Sequence, residues 1–129
     1  MRMVRPTVEQ LRANYEMLRS LPPFSRWEMP PVERVEFVLK GIRRRRHKGD
    51  KPLRGQCVYL GRKRWRVYVA PHRELYGVVA TLAHEMVHIH EDVAKLPWST
   101  RRGRYIHGPS FQRAADEVCR ELGFPRACF

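Results

Sequence analysis

The chain has 129 residues, 43% of them hydrophobic, a formal net charge of +13 and a pI near 10.6. That length predicts a single domain over residues 1–129, and no apolar run approaches the ~20 residues that a membrane-spanning helix needs. The start, MRMVRPTVEQ, lacks the apolar stretch of a secretory signal, and Cys57, Cys119 and Cys128 form no CxxC pair, which argues against a disulfide framework or a cysteine metal site. The expectation is therefore a monomer of the cytoplasm or nucleoid, with no membrane partner.

Thr7-Val8-Glu9-Gln10 reads as a capping box, with Leu11, Tyr15 and Leu18 following at helical spacing. A helix is predicted from about Val8 to Ser20, stopped by Pro22-Pro23, to cover either a sheet or a later helix. The proline-rich connector Pro22 to Pro31 carries Phe24, Trp27 and Met29 as core anchors. Val35, Phe37 and Leu39 alternate, predicting a strand inside Val32 to Arg45, although Val35, Val38, Leu39 and Ile42 also fit a helix. Gln56 to Leu60 and Arg64 to Ala70 read as a hairpin around Gly61-Arg62-Lys63. Trp65 is expected to pack under it, while Arg62, Arg64 and Arg66 are expected to share one basic face.

Val78 to Glu91 (VVATLAHEMVHIHE) then reads as an unbroken helix. Residues four apart on a helix stack on one face, so His84 and His88 can present two imidazoles to one metal ion. Glu85, about 100° around the helix, suits a carboxylate that works on water rather than on the metal. A zinc ion with three protein ligands and one open position is the catalytic form of such a site. His72 is a weaker ligand candidate, His90 points off the metal face and should be exposed, and Asp92 is either an acceptor for a histidine N–H or a surface charge, the second being preferred. Lys95 to Ile106 reads as a loop. His107 stands at the mouth of a last helix striped with Phe111, Ala114, Ala115, Val118 and Leu122 and capped by Gly123. A histidine there can swing back to the first two, which makes it the natural third ligand.

Charge is the second signal. Twelve cations and one acid, Asp50, fall between Lys40 and Arg66. Clustering of this kind implies a polyanionic partner, nucleic acid, with single-stranded or duplex DNA as the expected one. The candidate contacts are Arg43, Arg44, Arg45, Arg46, Lys48, Arg62, Lys63, Arg64 and Arg66, with a second cluster at Arg101, Arg102 and Arg104.

TLAHEMVH at Thr81 to His88, followed by HGPSF at His107 to Phe111, resembles the SprT-like metallopeptidases, the family of the Spartan proteases, without the C-terminal cysteine zinc ribbon of many bacterial members. The similarity covers about Val35 to Gly123. It implies one zinc ion on His84, His88 and His107, with Glu85 as general base and acid. It implies an α+β, zincin-like fold: an N-terminal helix, a small three-stranded antiparallel sheet, the HExxH helix and a C-terminal helix. The expected function is cleavage of peptide bonds in a protein substrate, directed in some members at proteins on DNA, with Tyr105 or His72 as oxyanion partner. The competing expectation is a nucleic-acid-binding module whose zinc is structural or vestigial.

Overall fold

A computed structural model of the chain describes residues 3–40, 54–95, 100–101, 104–105 and 107–129. Arg43, Arg44, Arg45, Arg46, Lys48 and Arg102 lie outside the described residues, and of Arg101 and Arg104 only the backbone is described.

Helix α1 (Val8–Arg19) starts as its sequence dictates. Thr7 Oγ1 accepts from the Gln10 amide at 3.1 Å, and Gln10 Oε1 accepts from the Thr7 amide at 2.8 Å. A cap of this kind is worth about 1 kcal/mol. Leu11, Tyr15 and Leu18 bury one face against both the sheet and α2, so α1 covers the two together. Tyr15 meets Phe37 edge-on at 5.7 Å and donates its hydroxyl to the Pro30 carbonyl at 2.6 Å, which ties the proline connector to the core. Phe24 and Met29 are buried there, as anchors.

Strand β1 (Val35–Leu39) turns Val35 and Phe37 inward and Glu36 outward. Strands β2 (Gly55–Gly61) and β3 (Arg64–Val69) form the hairpin, and Trp65, Val67 and Val69 face the core. The sheet is mixed rather than antiparallel: its order is β1-β3-β2, with β1 parallel to β3 and β2 antiparallel to it. The tight Arg62-Lys63 turn fixes the hairpin as antiparallel. The chain between the parallel strands, Lys40 to Lys63 including β2, exceeds the dozen residues that a parallel crossover requires, so β1 can take the open edge of β3. Arg64 and Arg66 share the outward side of β3, but the expected basic face is smaller than three arginines. Arg62 sits in the turn, not on the strand, and Arg66 Nε is paired with Glu36 Oε2 at 2.9 Å across the parallel register.

Helix α2 (Leu75–Ala94) is longer than expected and packs on β2, β3, α1 and α3. Two glycines allow close approaches to it. A Cβ on Gly77 would lie 2.1 Å from the His72 ring, and one on Gly55 would lie 2.6 Å from Thr81. The predicted loop after α2 contains a short antiparallel ribbon, β4 (Thr100–Arg101) with β5 (Arg104–Tyr105). Helix α3 (Pro109–Leu122) has proline in its first turn and ends at Gly123, with φ of 80° in the left-handed region where glycine is unstrained. Its buried stripe of Phe111, Ala114, Ala115 and Val118 joins α1, α2 and the sheet in one core. No helix among the described residues is long and apolar enough to cross a membrane.

Candidate metal centre

The middle of α2 and the approach to α3 bring His84, His88 and His107 together, with one ligand atom from each lying within 4.8 Å of the others. His84 Nε2 and His107 Nε2 are 3.1 Å apart. Phe111, 2% exposed, is an apolar wall behind all three: its ring centroid lies 4.9 Å from that of His84, 4.7 Å from His88 and 4.3 Å from His107. Ring positions are thus set by packing from α3 as well as by spacing on α2.

The outer nitrogens show which atoms face inward. His84 Nδ1 lies 2.6 Å from the Phe129 carbonyl, which can only accept, so the ring proton is on Nδ1 and Nε2 keeps its lone pair. His88 Nδ1 lies 3.4 Å from Glu91 Oε1, leaving Nε2 as its metal-facing atom. Glu91 is fully buried, and its other oxygen accepts from Ser110 Oγ at 2.6 Å. Ser110 belongs to α3, so this pair fastens the helix behind His107 to the helix that carries His88. His107 is held by its own backbone: its carbonyl accepts from Gln112 Nε2 at 3.1 Å. Gln112 Oε1 in turn accepts from Arg126, which is also paired with Asp116.

Electrostatics keep the three imidazoles neutral. Burial is the main cause for each, holding His84 and His88 down at about 3 and lowering His107 from its ordinary value; the proximity of the other histidines adds to it for His84 and His88. Neutral imidazoles are what a metal ion requires. Burial acts oppositely on Glu85, pushing its carboxyl up to about 8. Its Oε2 would lie 3.1 Å from a Cβ at Gly55, so the carboxyl lies against the start of β2, on a different face from the histidines. The donor set therefore fits a metal ion: three neutral nitrogens converge, His84 is oriented from behind by a hydrogen bond, and a carboxylate oxygen stands 3.4 Å behind His88.

The other candidates lie elsewhere. His72 is not a member of the cluster. Its Nδ1 accepts from the Glu74 amide at 3.2 Å, its Nε2 is 2.9 Å from Arg54, and its backbone pairs with Val4. His90 is not exposed as expected; it stacks on Trp27 with centroids 3.8 Å apart. Asp92 is more than a surface charge, because Trp65 Nε1 donates to it at 2.8 Å. Tyr105 has only its backbone described. Sequence reasoning missed Glu91. The available signal was its position three residues beyond His88, within reach on the next turn of the same helix. The chain matches no protein-family model and none of the curated proteins compared with it.

Proposed function

We propose that this chain is a zinc-dependent endopeptidase of the SprT-like kind, acting on proteins associated with DNA in the cytoplasm or nucleoid. The observation that carries the reading is the convergence of three neutral imidazoles, His84, His88 and His107, beside a buried carboxyl one residue along the same helix. Among the described residues no fourth histidine, cysteine or carboxylate joins the three. That favours a site with an open position over a closed structural one, and so favours catalysis over the binding-module alternative.

When bound, zinc supplies Lewis-acid polarisation, acidifies water and, as a dication, offsets the burial cost of the Glu85 carboxylate. The chain's own groups do the rest. Glu85 takes the proton of the attacking water and returns it to the leaving amine. His84, held through Nδ1 by the Phe129 carbonyl, and His88, backed by Glu91, keep their Nε2 atoms aimed inward. Phe111 excludes water from behind the rings. Among the described residues β2 pairs only with β3, so its other edge, beginning at Gly55 beside Glu85, offers ladder groups to an extended peptide.

The test is cleavage of a histone on single-stranded DNA, followed on a gel. Cleavage that stops on chelation and returns with stoichiometric zinc supports the proposal. Cleavage that survives complete metal removal overturns it.

A further inference from the structure

A second built site lies away from the histidines, between the β2–β3 hairpin tip, the end of α2 and the proline connector. It is a groove of about 670 Å³. Tyr59, Trp65 and Pro30 form its apolar lining, and Arg34, Lys63 and Lys95 stand around it, with Glu28 and Asp92 as the acids. Asp92 is engaged by the Trp65 indole N–H.

Tyr59 is 47% exposed yet fixed in place. Its hydroxyl accepts from the Lys63 amide at 3.1 Å, and its ring leans on the buried Trp65 ring with centroids 5.3 Å apart. Nearly half of the residue is nonetheless left open beside the cations that line the groove.

The turn below it is equally telling. Arg62 and Lys63 have φ of 53° and 57°, and both lie in the left-handed region that glycine and asparagine occupy most easily. Two-residue hairpin turns with both φ positive strongly prefer Asn-Gly. This chain places two long cations there at a cost in strain, and Arg34 Nη1 braces the turn by donating to the Arg62 carbonyl at 3.5 Å. Strain retained in this way points to function rather than to stability.

We infer that this groove binds single-stranded nucleic acid, with one unstacked base on Tyr59 and the adjoining phosphates on Arg62, Lys63 and Arg34. Aromatic platforms flanked by cations take single strands because an unpaired base offers its face, whereas a duplex keeps its bases stacked inside. The inference rests on the nucleic-acid part of the proposed function and not on cleavage.

The experiment measures binding of a labelled 15-nucleotide poly-dT strand and of a blunt duplex of equal length, in the zinc-loaded 129-residue chain carrying Glu85→Gln. Adding Tyr59→Ala should weaken poly-dT roughly 5- to 100-fold and leave the duplex unchanged, while Tyr59→Phe retains the affinity. Arg62→Asn with Lys63→Gly should reduce the slope of log affinity against log salt by about 1.4, the loss of two single-strand phosphate contacts. The same double variant should melt no lower than its parent, because it relieves the turn. Poly-dT affinity unchanged in both Tyr59→Ala and the turn variant overturns this site while leaving nucleic-acid binding in place. A parent that binds no poly-dT overturns both. Equal displacement of the strand by poly-glutamate overturns the base-stacking part, since an acidic peptide would then serve as well.

Discussion

The histidine cluster and the hairpin groove use opposite physics in one small domain. At the cluster, charge is suppressed: burial keeps three imidazoles neutral, the Phe129 backbone oxygen orients His84, and Glu91 stands behind His88. At the groove, charge is displayed: Arg62 and Lys63 are exposed and held in a strained turn. A metal site needs lone pairs in fixed directions, so it is built inside and supported from behind. A polyanion site needs field and accessible faces, so it sits on a tip. Changes at the cluster should therefore act through metal and proton affinity, and changes at the groove through salt-dependent binding.

The largest effect is expected from His88→Ala, which removes a ligand and uncovers the Glu91 carboxyl behind it. Zinc affinity should fall by well over the 10–100-fold typical of losing an outer partner, and cleavage should fall with it. Competition with a chromophoric chelator measures this, and unchanged affinity would remove His88 from the ligand set. Glu91→Gln is the intermediate case. It keeps an acceptor for Ser110 but removes the negative charge beside His88 Nδ1. Zinc affinity should drop about 10–100-fold while the fold survives. An unchanged zinc affinity would reduce Glu91 to a tie between helices.

A graded effect of another kind, on stability, belongs to pH in metal-free protein. His84 and His88 have folded values near 3 against an ordinary 6.5, so the unfolded chain binds more protons once pH falls below 6.5. Stability is present above 6.5 and is lost as pH falls toward 3, with a slope of at most about 2–3 kcal/mol per pH unit from the pair. Glu85 has the opposite sign. Its folded value of about 8 lies above the ordinary 4.5, so its contribution is present below 4.5 and lost as pH rises toward 8. Metal-free Glu85→Gln should therefore equal wild type near pH 4 and exceed it near pH 8. Urea midpoints across this range check both signs, and a flat difference between the two proteins would contradict the burial of Glu85.

The parts of the site legible in the sequence are those set by local periodicity. His84 and His88 are one helical turn apart, and the capping box at Thr7 and the left-handed stop at Gly123 are likewise short-range patterns that the fold reproduces. His107 was within reach because the helix start that follows it limits where its side chain can go. Apart from Glu91, which stands one turn beyond His88 on the same helix, the misses are tertiary. The parallel β1–β3 pairing depends on which edge of the hairpin a distant strand takes, and alternation of Val35 and Phe37 carries no direction. Asp92 reads as solvent-facing until Trp65 is brought beside it. His90 reads as exposed until Trp27, from the proline connector, stacks on it. Arg66 counts toward a basic face until Glu36 is set opposite by the register. Much of the expected basic surface, Arg43 to Lys48, lies outside the described residues, so the groove at Tyr59 carries the structural case for nucleic acid.

The most direct test of the central claim is to load wild type and Glu85→Gln with one equivalent of zinc, verify equal metal content, and compare cleavage of the same DNA-bound protein. Equal zinc and a loss of about 10²–10⁴-fold in rate are expected for the variant, the size typical of removing a general base. Equal zinc with equal rates would contradict the claim, because the carboxyl beside His84 would then have no part in the chemistry.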